Sequence, residues 1–200
     1  FVVAGVCLLL ACGIGDVIGK PFILCVCLTL WAGGYMEKWQ QEKDACGKWM
    51  YARMLYHSGG YKAANEAYEK LYPVLRGRGA FLFEYGHSLH KSFLYGDSNK
   101  YLEEACRYSS DPMVLNVMGK NYQEQHCYEQ AEKFFYRAIH RLPGRIYPYY
   151  LLANLYAEPD FYKPDKLKEA ADSVLTKEPK VHSTAIDEMR SEVREILKRK

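Results

Sequence analysis

The sequence predicts an all-α, right-handed superhelical solenoid of about four helix pairs, closed by a C-terminal capping helix and preceded by an apolar segment. Three observations predict it. Small residues recur at Ala52, Gly86, Gly119 and Ala153, spaced 34, 33 and 34 apart, and each is followed three residues later by a larger apolar one: Leu55, Leu89, Tyr122 and Tyr156. A period near 34 belongs to helix–turn–helix units that stack on one another, the small residue letting two helices approach and the larger one filling space against the next unit. Turn residues fall between the apolar runs, as at Ser58-Gly-Gly60 and Ser110-Asp-Pro112, and the last stretch after Pro179 is amphipathic.

The elements follow in order. Two apolar runs, Phe1–Cys12 and Phe22–Tyr35, flank Gly13–Pro21. Each is shorter than the roughly 20 residues a spanning helix needs, so the first reads as the tail of a longer span and the second as spanning with help from Val17–Lys20 or by local thinning of the bilayer. A secretory signal with a lipoprotein-type site at Leu9-Leu-Ala-Cys12 is a rival reading, and a hydrophobic hairpin packed on the solenoid end is another. The chain opens on Phe1 rather than Met; the expectation is a fragment, with residues 1–36 the end of a membrane region and 37–200 the repeat domain. Lys38, Lys43, Lys48 and Arg53 follow the second run against Lys20 before it, a slight lean towards a cytoplasmic repeat domain.

Repeat one, from about Ala45 to Arg78, carries Trp49, Ala52, Leu55 and Tyr56, then Ala64, Ala67, Tyr68 and Leu71, with its second helix expected to end before Pro73. Repeat two runs from Gly79 to Ser110, with Phe83, Gly86, Leu89, Leu102 and Ala105. In repeat three, Pro112 to Arg145, the residues Leu115, Gly119, Tyr122, Ala131, Phe135, Ala138 and Pro143 fall where the tetratricopeptide repeat places them. Repeat four begins at Ile146 with Tyr149, Ala153 and Tyr156, makes a longer turn over Glu158–Pro164, and continues through Leu167, Ala170, Ala171, Val174 and Leu175. A last helix from Ser183 or Thr184 puts Ile186, Met189, Val193 and Leu197 on one side and Glu188, Arg190, Glu192 and Arg194 mainly on the other, the pattern of an end cap.

In this architecture the first helices line a concave face. Register places Trp49, Phe83, Asn116 and Tyr150 in one row, Arg53, His87, Lys120 and Asn154 in the next, and Tyr56, His90 and Gln123 one turn on. An aromatic row beside a cationic row suits a peptide or protein partner, or an anionic glycan. The competing reading is that these aromatics pack between helices and the cations only solvate a groove. His87 and His90 sit one turn apart, but no third ligand is placed by sequence and no metal or cofactor is expected. No nucleophile–base order, phosphate-binding glycine loop or isolated carboxylate pair is present, so this chain offers no catalytic residue. A net charge of +3, with Glu37, Glu42, Asp44, Glu66 and Glu69 breaking any basic stripe, argues against nucleic acid. Seven cysteines at irregular spacing suggest neither a disulfide framework nor a metal site.

Certain stretches carry a more specific likeness: Tyr68-Glu-Lys-Leu-Tyr-Pro73, Phe81-Leu-Phe-Glu-Tyr-Gly86, Ser109-Ser-Asp-Pro-Met113, Gly119-Lys-Asn-Tyr122, Tyr128-x-x-Ala-Glu132, Pro143-Gly-Arg-Ile-Tyr-Pro148, Tyr150-Leu-Leu-Ala-Asn-Leu-Tyr156 and Lys177-Glu-Pro-Lys-Val181. Over roughly residues 39–197 the chain resembles the C-terminal tetratricopeptide region of O-antigen ligase/polymerase-like membrane proteins of Bacteroides-type bacteria. Gly144 stands where those relatives usually carry Asn. The resemblance implies an accessory domain of a membrane-embedded protein that transfers or polymerises lipid-linked surface polysaccharide, with membrane lipid met through residues 1–36 and the catalytic loops outside this chain. The alternative is a membrane-anchored adaptor that binds a peptide or protein and has no enzymatic body.

Overall fold

The computed structural model describes residues 19–179 and 181–199, with side chains from Cys27 onward. It divides into two units, Phe1–Tyr51 and Ala52–Lys200. Among the described residues every regular element is helical: α1 (Gly19–His57), α2 (Tyr61–Leu75), α3 (Gly79–Lys91), α4 (Tyr95–Tyr108), α5 (Pro112–Glu124), α6 (Tyr128–Arg141), α7 (Tyr147–Ala157), a 3-10 turn (Pro159–Phe161), α8 (Pro164–Thr176) and α9 (Thr184–Arg199).

In the first unit, α1 exposes Leu28, Trp31, Tyr35, Met36 and Trp39, with Trp31 stacked on Tyr35 at 5.9 Å and the Lys43 ammonium 5.2 Å from the Trp39 ring. No helix among the described residues is long and apolar enough to cross a membrane. The uncharged stretch between Lys20 and Glu37 is shorter than the roughly 20 residues a spanning helix needs. The run Phe1–Cys12, the Leu9–Cys12 signal reading and the side chains of residues 22–26 lie outside the described residues.

In the second unit the helix pairs expected for repeats two to four form in order. α3 packs on α4, α5 on α6 and α7 on α8, each pair then meets the next, and α9 closes on α7 and α8. The small residues of the 34-residue pattern sit where helices cross. A Cβ on Gly86 would lie 2.7 Å from Leu102 Cγ, and one on Gly119 would overlap the Phe135 ring at Cε1. Ala52 and Ala153 are fully buried. These contacts admit hydrogen or methyl and nothing larger.

The larger partners do a second job that the sequence did not disclose. The carbonyls of Leu55, Leu89 and Tyr122 accept from the N–H groups of Gly60, Leu94 and Cys127 at 2.9, 3.0 and 2.8 Å. Each bond closes a Schellman-type helix end, and the residue before each donor is left-handed: Gly59, Phe93 and His126, with φ of 82°, 63° and 57°. Glycine adopts that conformation without penalty; Phe93 and His126 hold it against a preference of roughly 1 kcal/mol or more. Repeat four departs, since Lys163 N–H reaches the Tyr156 carbonyl only across the 3-10 turn.

Three expectations are corrected. α2 does not stop before Pro73 but runs through it to Leu75, because Leu71 and Leu75 are both buried and one further turn is needed to seat the second. On α9 the inward position after Val193 belongs to Ile196, which packs on the core, while Leu197 is exposed; i+3 and i+4 flank the same stripe, and the neighbouring helices decide which is covered. Arg190 is not solvated: its Nε and Nη2 donate to the Val174 and Lys177 carbonyls at 3.2 and 2.7 Å, capping the C-terminus of α8.

The helix-crossing geometry gives a paired prediction. Gly119→Ala should lower stability by about 1–2 kcal/mol, overpacking outweighing the propensity gain. Gly96→Ala, where an added Cβ meets nothing within 4 Å, should raise it by about 0.5–1 kcal/mol. Urea denaturation of both variants checks the sign difference.

Candidate functional site

The face formed by α3, α5, α7 and the last turns of α1 carries the residues that register brought together. At its first end Arg53 Nε lies 3.1 Å from Glu84 Oε1, so its charge is met by a carboxylate. The Tyr56 hydroxyl and His87 Nδ1 are 2.9 Å apart, and the His87 ring stacks between Phe83 (5.7 Å) and His90 (5.8 Å). Burial, reinforced by the charges of His90, Lys91 and Lys120, lowers the His87 pKa to about 4, so this imidazole is neutral near pH 7. The row expected to be cationic is therefore largely neutral at this end.

His90 is buried and serves the frame. Asn121 Nδ2 donates to Ser98 Oγ at 2.8 Å and to Asn99 Oδ1 at 2.7 Å, which leaves Asn121 Oδ1 to accept from His90 Nδ1–H at 2.6 Å. Ser98 Oγ in turn donates to the Gly86 carbonyl at 2.6 Å. The chain of bonds ties α3, α4 and α5 together. Asn116, expected on the lining, is only 2% exposed; its amide lies 3.8 Å from Met113 Sδ and its Oδ1 has no partner. Trp49 belongs to the first unit.

Four of the expected residues do converge. Lys120, Gln123, Tyr150 and Asn154 line a cleft of about 610 Å³ between α5 and α7. Lys120 is half-buried, and no carboxylate among the described residues lies within ion-pair distance of it. Burial and the neighbouring Lys91 lower its pKa, against the opposing pull of Glu124. Gln123 Nε2 donates to Glu158 Oε1 at 2.9 Å, and the Tyr150 hydroxyl donates to Glu192 on the cap.

Tyr147, Glu124 and Glu158 line the same cleft and were not expected there. Glu124 lies one turn beyond Lys120, a legible signal. Glu158 stands 34 residues after Glu124, the same register position one repeat on. Together the two carboxylates balance Lys91 and Lys120, so the cleft offers amides, phenols and both signs of charge. Among the described residues no group of three His, Cys, Asp or Glu side chains is arranged to hold a metal ion.

Neither a family model nor a curated protein matches the sequence. Solved structures do. The crystal structure of MamA is similar at 17% identity, covering 74% of this chain and 90% of that one, with a TM-score of 0.57. MamA 41-end from Desulfovibrio magneticus RS-1 is similar at 17% identity over 99% of this chain and 93% of that one, TM-score 0.57. YrrB, described as a TPR protein with an unusual peptide-binding site, is similar at 15% identity over 83% and 88%, TM-score 0.54.

The buried imidazole sets a pH dependence. His87 titrates near 4 in the folded chain and near 6.5 unfolded, so the unfolded state binds the extra proton first as pH falls. The stability held above pH 6.5 is lost between about 6.5 and 4, by roughly 2 kcal/mol once the ring's residual solvent contact is discounted. His87→Gln should flatten that part of a plot of urea midpoint against pH. At these levels of identity the likeness to solved structures establishes the fold, and the chain is an all-α helical-repeat protein with a tetratricopeptide-type architecture.

Proposed function

We propose that residues 52–199 are a peptide- or protein-binding scaffold whose seat is the cleft between α5 and α7. The observation that carries this is Lys120: a half-buried ammonium with no ion pair, set among Gln123, Tyr150 and Asn154. Removing an ammonium from water without a partner is unfavourable, and a ligand carbonyl or carboxylate would supply one. The adjacent amides suit a peptide backbone. Glu124 and Glu158 disfavour a polyanionic glycan, which would bring further negative charge against them. The peptide-binding site of YrrB supports the class of ligand, since a similar fold holds one there.

Peptides selected against the full chain from a display library should bind Lys120→Met and Asn154→Ala at least about tenfold more weakly, the loss of roughly 1.4 kcal/mol at a central contact. Lys133→Met, on the exposed outer side of α6, serves as the control. Equal binding to all four proteins would remove the cleft from the proposal.

The finer reading makes this scaffold the tail of an O-antigen ligase/polymerase-like protein at a bacterial inner membrane, tethered through residues 1–36. The motifs of residues 39–197 support it. Sequencing the reading frame upstream of Phe1 tests it: many spans with a large hydrophilic loop are expected, and a start codon within a few dozen residues would leave the membrane-anchored adaptor.

A further inference from the structure

One edge of the second unit gathers the turns that lead from each second helix into the next repeat: residues 74–78, 107–111 and 141–146. These segments hold five arginines, Arg76, Arg78, Arg107, Arg141 and Arg145, against the single carboxylate of Asp111. No carboxylate lies within ion-pair distance of Arg76, Arg107, Arg141 or Arg145 among the described residues. Arginine in the last turn of a helix answers the helix dipole, which accounts for Arg107 and Arg141. It does not account for Arg145, which stands just before the N-terminus of α7, where the dipole is unfavourable to a cation.

The same turns expose apolar side chains beside the arginines: Val74 at 41%, Tyr108 at 55% and Leu142 at 43%. The turns are contiguous. A Cβ on Gly79 would meet Tyr108 and Ser109 at 3.1 Å, joining the first turn to the second. The helix pairs that carry the second and third turns pack directly on each other, α4 against α5. The opposite edge differs. It exposes Phe93 and Leu94, but its turns carry no arginine and hold Glu158 and Asp160.

We propose that this arginine-bearing edge docks on an anionic phospholipid surface, the guanidinium groups meeting headgroup phosphates while Val74, Tyr108 and Leu142 enter the headgroup–acyl boundary. A row of cations alone would fit any polyanion; the exposed apolar side chain in every turn is what selects a bilayer, because it has nothing to bury against on a soluble chain of charges. The proposal is independent of the cleft between α5 and α7.

The test is flotation of the full chain with phosphatidylcholine vesicles, with and without phosphatidylglycerol. The neutral vesicles set the baseline contributed by the apolar N-terminal residues, and the gain on adding the anionic lipid is the quantity read. Arg107→Gln/Arg141→Gln should lose roughly 30-fold of that gain, about fivefold per charge removed. Lys62→Gln/Lys91→Gln, the same change in net charge away from this edge, should lose less than about threefold. Tyr108→Ser/Leu142→Ser should weaken vesicle binding while leaving binding to soluble dextran sulfate unchanged. All the substituted side chains are exposed, and circular dichroism verifies that the helices persist. Equal losses in the two charge variants, or no effect of Tyr108→Ser/Leu142→Ser on vesicle binding, would overturn the proposal; the latter would point to a soluble polyanion instead.

Discussion

The close crossing of helices at Gly86 and Gly119 is the constraint on which the second unit depends. At these points Leu102 and Phe135 occupy the volume a side chain would need. The two helices of a pair are thereby held at one distance, and the next pair inherits its position from that distance. Phe135 and Leu102 are fully buried, each contributing on the order of 2 kcal/mol of apolar burial. A repeat protein has no central core to absorb an error, since each unit touches only its neighbours. A misfit at one crossing would therefore be passed along the stack rather than averaged out.

Buried polar groups then fix which unit follows which. The bonds running from His90 through Asn121 to Ser98 and the Gly86 carbonyl join three helices of two repeats, and they begin at a crossing glycine. Glu132 plays a comparable part further on, accepting from the Tyr156 hydroxyl and Lys166 at 2.7 and 2.6 Å, with Lys163 at 3.4 Å. Burial alone would raise its pKa; the hydrogen bonds from Lys166 and Tyr156 and the Lys163 charge more than reverse that. Apolar packing tolerates small slips between stacked helices, whereas such bonds do not.

The helix pairs were legible in the sequence because their signal is repeated: small residue, larger apolar residue, turn, at a constant interval. What the interval did not disclose depends on side-chain direction. Asn116 and Lys120 lie on the same helix, yet the first is enclosed and the second opens into the cleft. A register argument places a residue on a face without saying how far its neighbours cover it. Arg190 was misread for a related reason, since its charge suggested solvent while its length allowed it to reach back to two carbonyls of α8. Glu124 and Glu158 were legible, standing 34 residues apart one turn beyond the row of Lys120 and Asn154; aromatics and cations draw attention to a groove, and the carboxylates that offset them do not.

The capping helix α9 has a consequence for the cleft beyond closing the stack. It is held by Val193, by Arg190 on the end of α8, and by the bond from Tyr150 to Glu192. Among the described residues α9 packs only on α7 and α8 and buries little beyond Val193, so it is among the segments that open at least cost. Tyr150 belongs at once to the cap and to the cleft. A ligand that takes its hydroxyl away from Glu192 loosens the cap, and a frayed cap frees that hydroxyl for the ligand. By thermodynamic linkage the two effects are equal in free energy, so hydrogen-exchange rates in α9 become a remote gauge of what the cleft holds.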